Sequence, residues 1–259
     1  MHKIFKVLSL FLIGLLVGCS AGLDRVKSPS ALVRHMGTST VALVLTTDEG
    51  TIRPYCTGVW LDDNLIATAH HCVQSVANQI AKKNLPPEVA EQIEVDVDVI
   101  GVKIHYIQQN EVTEVGEDPT AIHWSKVIVD DSLHDVVLLR AMGNAIPPHE
   151  HVELATEMPA LGEQVYVVGH VKGLYWTYIR GTVAAYRNGL PVDRNGPFLQ
   201  LSAPIYFGNS GGGVFNSDGE LVGIVSFMLG APLTNFAIPV KRIRELVKES
   251  REHGLQLKK

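Results

Sequence analysis

The chain has 259 residues, 46% of them apolar and 19% charged, with a formal net charge of −5. That length can bury one large core or two smaller ones, and the composition excludes collagen-like and disordered classes. A mildly acidic balance, with no basic stripe, no aromatic RNA-binding motif and no zinc-finger spacing, argues against a nucleic-acid partner. At the N-terminus, Lys3 and Lys6 flank the apolar run Val7 to Val17, which ends in small residues. This is the order of a secretory signal, and the run is short for a membrane-spanning helix.

Leu16-Val17-Gly18-Cys19 resembles the lipobox of bacterial lipoproteins. The resemblance implies a lipoprotein signal peptide at residues 1–18, cut before Cys19, which then carries the lipid. Several acyl chains on one cysteine give stable anchoring to a membrane. Ser20 follows, not an aspartate, which by the same resemblance favours the outer membrane, with the folded part periplasmic or extracellular. An ordinary signal peptide with a chance cysteine is the alternative. Residues 19–37 are small, polar and unpatterned, and read as a tether. Residues 20–37 fully extended would span roughly 60 Å.

From Val41 onward short β-type runs alternate with turn residues: Val41–Leu45, Gly58–Leu61, Leu65–Thr68, Asp135–Leu139, Gln164–Val168, Phe198–Leu201 and Leu221–Val225. Many short strands separated by Gly, Asp and Asn predict an all-β barrel or sandwich. The stretch 143–151, with Pro147 and Pro148, reads as a linker between two β halves, residues 38–145 and 146–239. Val73 to Ile93 has helical composition broken at Pro86-Pro87. Val240, Ile243, Leu246 and Val247 recur at helical spacing after Pro239, which predicts a terminal helix over residues 240–253. No internal repeat is evident in the sequence.

Three segments carry chemistry: Thr68-Ala69-His70-His71-Cys72, His134-Asp135-Val136-Val137-Leu138-Leu139 and Gly208-Asn209-Ser210-Gly211-Gly212. A serine hydroxyl needs a positioned base, histidine can accept its proton near neutral pH, and a carboxylate can fix the histidine tautomer. In this order and with these neighbours the segments resemble the trypsin/chymotrypsin superfamily, whose motifs are T-A-A-H-C, D-hydrophobic-A-L-L and G-[DN]-S-G-G. The resemblance runs from about residue 40 to 250. It implies two packed six-stranded antiparallel barrels with a C-terminal helix, and a triad of His71, Asp135 and Ser210. It further implies an oxyanion hole from the Gly208 and Ser210 amides, and a disulfide between Cys56 and Cys72. With Cys19 lipidated, the three cysteines are then accounted for. His71 is preferred to His70 because the superfamily's base directly precedes its cysteine.

A G-x-S-x-G match alone also fits α/β-hydrolases, but there the order is Ser, Asp, His, and only His253 follows Ser210. His71 beside a buried cysteine, Asp135 opening a strand and Ser210 in a turn each have a purely structural reading. All three would have to hold together. Asn209, the Gly169-His170 loop and Asn235-Phe236-Ala237-Ile238-Pro239 resemble the HtrA-like bacterial branch. Gly213, where that pattern usually has proline, and the lack of a PDZ-length segment after the barrel are departures. An amide at Asn209 cannot pair with a new N-terminal ammonium, so activation by zymogen cleavage is not expected. By resemblance, Pro204, Ile205, Val225, Ser226 and Met228 line the specificity pocket, whose apolar walls imply cleavage after uncharged residues. No His-Glu-x-x-His occurs, and neither metal nor cofactor is expected. The expected function is serine endopeptidase, acting on polypeptide substrates of the cell envelope as a lipid-anchored monomer. The alternatives are a catalytically silent binding module and an esterase.

Overall fold

The computed structural model describes residues 30–46, 50–83, 86, 99, 101–108, 121–143, 146–190, 192, 194–230 and 234–252. The expected signal peptide, Cys19 and His253 lie outside them. The N-terminal barrel is built from β1 (Thr40–Thr46), β2 (Ile52–Trp60), β3 (Leu65–Thr68), β4 (Lys103–Gln108), β5 (His123–Asp131) and β6 (Val136–Met142). The C-terminal barrel uses β7 (Gln164–Gly169), β8 (Thr177–Arg187), β9 (Phe198–Leu201), β10 (Gly213–Phe215), β11 (Leu221–Met228) and β12 (Asn235–Pro239). The barrels close in the orders β1-β2-β3-β6-β5-β4 and β7-β8-β9-β12-β11-β10, all neighbours antiparallel. The orders are the same, so the chain repeats in topology what it does not repeat in sequence.

Each barrel fills its interior with one face of its strands, following the two-residue period of a strand. Val41, Leu43, Trp60, Ile66, Tyr106, Val137 and Leu139 form the first core. Val165, Val167, Val183, Leu199, Leu201, Val214 and Ala237 belong to the second. The opposite face of β3 and β6 is also covered. Leu65, Ala67, Val136 and Leu138 pack with Val168, Phe215 and Ile224 of the other barrel in a shared seam. That two-sided burial is why the run after Asp135 is continuously apolar.

Among the described residues three α-helices decorate the barrels: α1 (Ala31–Thr38), α2 (His70–Lys82) and α3 (Val240–Glu252). α3 lays Ile243, Leu246 and Val247 onto the seam, and α2 turns Cys72, Val73, Val76 and Ala77 toward the first core. α1 corrects the expected tether. Leu32, Val33 and Met36 fall on one face and join the seam cluster, and Met36 is completely buried. α2 also begins earlier than composition suggests, so His71 and Cys72 lie in its first turn. No helix among the described residues is long and apolar enough to cross a membrane.

Candidate active site

The register Thr68↔Val137 between β3 and β6 decides which loops meet. The chain leaving β3 enters α2, while the chain entering β6 has just passed Asp135. A single turn of 3-10 helix, Ser132–His134, delivers Asp135 in the left-handed region, with φ 58° and ψ 42°. Aspartate tolerates that conformation better than most residues with a side chain. The turn is fixed by Asp131, whose Oδ1 accepts from the His134 amide at 3.3 Å and whose Oδ2 accepts from Arg242 Nε of α3 at 2.6 Å.

Ala69, at the head of α2, has no side chain that could cap the helix. Asp135 supplies the cap from another part of the chain. Its backbone oxygen accepts from the His70 amide at 3.2 Å, and its Oδ1 accepts from the His71 amide at 3.0 Å. A carboxylate at a helix N-terminus satisfies free amides and complements the positive end of the dipole. The same carboxylate receives His71 Nδ1, 2.9 Å from both Oδ1 and Oδ2. Ser226 Oγ donates to Oδ2 from β11, and Arg194 Nε lies 3.2 Å from that oxygen. Asp135 is 1% exposed. Burial opposes its ionisation, but the His71 hydrogen bond and charge, Arg194 and the Ser226 hydroxyl outweigh it and hold the carboxyl below its ordinary value.

Ser210 reaches this place through a glycine-dependent turn. Gly208 has φ +97°, and a Cβ there would fall 2.0 Å from the His170 carbonyl oxygen. Gly211 has φ +81°, and a Cβ there would fall 2.1 Å from both Thr57 O and Thr68 Oγ1. The turn is fastened to the other barrel by one residue. The Thr57 amide donates to Ser210 O at 2.8 Å, and its hydroxyl donates to Gly208 O at 2.7 Å. Neither the Gly208 nor the Ser210 amide donates to a backbone carbonyl among the described residues. Ser210 Oγ donates to the Ser226 carbonyl at 3.4 Å and not to the His71 ring.

The remaining predicted residues divide. Cys56 and Cys72 are bonded, Cα atoms 6.1 Å apart, joining β2 to α2 beside His71. They and His71 form a group of metal-type donors among the described residues, but both sulfurs are in the bridge. The Ser226 hydroxyl, expected in the pocket wall, donates to Asp135 Oδ2. Val225 is 1% exposed and packs into the second core. Ile205 is buried, Pro204 is exposed and Met228 half-buried. His70 pairs with Asp130 at 2.6 Å and His134 with Asp131 at 2.9 Å, so neither competes with His71 for Asp135. His149 stacks on Trp60 with ring centres 3.8 Å apart.

His170 is completely buried, edge-on to Trp176 at 4.4 Å, and accepts from the Trp176 amide at 3.3 Å. Burial pushes it down to about 3 against a weaker pull from the Val41 backbone, so it is neutral. Asn209 is fully buried, and its side-chain amide has no hydrogen-bond partner among the described residues. Two contributors, Thr57 and Arg194, went unread in the sequence, and Ser226 was read as a pocket residue and not as a partner of Asp135. Thr57 could have been found as the polar residue beside Cys56. Ser226 and Arg194 carry no local signal, because strand pairing and a loop from the other barrel bring them in.

The sequence matches the trypsin-like peptidase domain family over residues 56–224, more than half of the chain. A "Probable periplasmic serine endoprotease DegP-like" of Marinomonas sp. (strain MWYL1) is 31% identical over 154 residues, covering 58% of this chain and 32% of that protein. A "Serine protease HtrA-like" of Staphylococcus aureus (strain MRSA252) is 26% identical over 206 residues, covering 70% and 27%. This chain thus spans about a third or less of the length of those relatives. The solved structure titled "HtrA-type protease AlgW with tripeptide" shares the fold, with a TM-score of 0.62 and 20% identity over 86% of this chain and 63% of that one. Matched through both barrels and both halves of the site, the chain belongs to the trypsin-like peptidase family, and HtrA-type serine proteases are among its relatives.

Proposed function

We propose that the chain is a serine endopeptidase in which Ser210 is the nucleophile, His71 the general base and acid, and Asp135 the group that orients His71. The observation that carries this is the hydrogen bonding of His71 Nδ1 to a buried, ionised Asp135, which leaves Nε2 as the ring's free base. Ser210 Oγ gives its proton to His71 Nε2 as it attacks the scissile carbonyl. His71 returns that proton to the leaving amine, and water then hydrolyses the acyl ester by the same route. The Gly208 and Ser210 amides receive the oxyanion. Cleavage after uncharged residues is supported by the apolar character of Ile205 and Met228.

The lipobox-like stretch supports removal of residues 1–18, lipid on Cys19 and an envelope site favouring the outer membrane, which would bring exported proteins within reach as substrates; the enzyme is proposed to act as a monomer. The domain reading is a signal peptide at 1–18, a tether shortened by α1 to residues 19–30, barrels at 38–145 and 146–239, and a terminal helix at 240–253. Full-length protein in mild detergent, incubated with unfolded casein beside its Ser210→Ala variant, tests the activity. Hydrolysis by the parent alone supports the enzyme. Hydrolysis by both, or by neither when the parent also fails to react with a fluorophosphonate, sinks it. The Ser210 hydroxyl directed at Ser226 O favours a second reading, a silent binding module, which fluorophosphonate labelling of Ser210 would exclude.

A further inference from the structure

The segment between β8 and β9 crosses from the C-terminal barrel to the loop that presents Asp135. The Asn195 amide donates to Leu133 O at 2.6 Å, which ties the segment to the 3-10 turn directly before Asp135. Its neighbour Arg194 places Nε 3.2 Å from Asp135 Oδ2, with the Arg194 side chain 25% exposed and the carboxylate 1% exposed. The guanidinium lies 5.2 Å from the centre of the Phe227 ring. Phe227 is itself held, stacked on Phe236 at 4.9 Å and edge-on to Phe198 at 5.2 Å. The cation is therefore braced on one side by an aromatic face and on the other by the carboxylate.

The charged groups that act on Asp135 come from two elements, His71 of α2 and Arg194 of the β8–β9 segment; Ser226 of β11 contributes a neutral hydroxyl. The nearby His70 and His134 rings are turned to Asp130 and Asp131. Arginine stays protonated at every working pH, so the charge it sets beside Asp135 is fixed.

We propose that Arg194 is a positioning residue for the reaction proposed above, a fixed cation that shares the Asp135 carboxylate with His71 and keeps His71 neutral and competent further into mildly acidic conditions. The inference rests on that reading of His71 as the base. A cation on the same carboxylate disfavours a second cation on the imidazole, and Nε at 3.2 Å from Oδ2 sets that charge at ion-pair distance beside His71. A fixed charge in the aromatic-backed crevice is screened less than one on the open surface.

The test compares full-length parent, Arg194→Gln and Arg194→Lys in detergent, following kcat/KM against pH on a chromogenic peptide with an uncharged residue before the scissile bond. Removing the charge should move the acidic limb upward by about half a unit to one unit, so activity at pH 6 relative to pH 8 falls about twofold to sixfold further than in the parent. Arg194→Lys should keep the limb near the parent position. A parent-like limb in Arg194→Gln, with KM or thermal stability changed instead, would mean that Arg194 is only a brace for the loop, and the proposal would be overturned.

The same comparison in a Ser210→Ala background, following His71 by NMR, needs no turnover. An upward move of its titration in Arg194→Gln supports the charge relation even if the parent hydrolyses nothing. No move overturns it. Absence of hydrolysis by the parent, in contrast, counts against the peptidase reading alone.

Discussion

Ser226, on β11 of the second barrel, donates its hydroxyl to Oδ2 of Asp135, which precedes β6 of the first. The candidate site is thus stitched across the seam in two places, since Thr57 of the first barrel holds the Gly208 and Ser210 carbonyls of the second. Each barrel fixes the other's reactive group, and neither half contains a complete arrangement.

Ser226→Ala leaves one oxygen of a buried carboxylate with one donor fewer. Loss of a hydrogen bond to a charged group should cost about 1.5–3 kcal/mol in stability. kcat/KM should fall about tenfold or more as Asp135 loses its fixed orientation. Thermal melts and steady-state rates check the two effects separately.

Asp135→Asn preserves shape but offers His71 Nδ1 a group that can donate, which favours the wrong tautomer. Activity should fall about 10⁴-fold with little change in fold. The asparagine also brings a neutral group to the head of α2, so a loss of roughly 0.3–1 kcal/mol in stability accompanies it. Fluorophosphonate labelling rates and circular dichroism report these.

Gly211→Ala meets both a backbone at φ +81° and a Cβ position 2.1 Å from Thr57 O. Neither the carbonyl nor the Thr68 hydroxyl beside it can retreat without breaking the seam. Destabilisation should exceed about 3 kcal/mol, and labelling of Ser210 should be lost. Gly189→Ala is a control, since it too has positive φ but no atom within 4 Å of its Cβ. It should fold.

His170 is neutral in the fold, pushed down to about 3, whereas an unfolded histidine titrates near 6.5. The unfolded chain therefore binds the extra proton first. The stabilisation is fully present above about pH 6.5 and is lost as pH falls toward 3, about 3 kcal/mol of it by pH 4. Melting temperature followed from pH 7.5 to 4 should decline, and His170→Phe should decline less. Equal slopes would remove His170 as the cause.

Reducing the Cys56–Cys72 bridge opens a loop whose ends are separated by 16 positions. Chain entropy assigns such a loop about 3 kcal/mol. A paired Cys56→Ser, Cys72→Ser variant should melt lower and react more slowly with fluorophosphonate, because the first turn of α2 that carries His71 is freed.

The parts of the site that were legible in the sequence are those held by local chemistry. His71 directly before Cys72, Asp135 before an apolar run and Ser210 among glycines each needed their immediate neighbours, and those neighbours are written beside them. Ser226 and Arg194 meet Asp135 only after both barrels close, so no local pattern could assign them. The strands followed the same divide. β1, β3 and β9 were readable as apolar runs, while β4 and β5, which carry Lys103, His105 and Lys126, depend on pairing for their identity. α1 had a faint signal in the four-residue spacing of Leu32 and Met36, outweighed by the polar text before it.

The helix at Ala31–Thr38 also sets a leash. With Met36 sealed into the seam, only residues 20–30 remain between the proposed lipidated Cys19 and the folded body. Fully stretched, that length is about 35–40 Å, roughly two thirds of what an unstructured run to residue 37 would allow. With Cys19 lipidated as proposed, an enzyme on so short a lead would patrol only the layer next to its membrane. It would meet proteins that are emerging from, inserting into or tethered to that surface before it met those diffusing freely beyond.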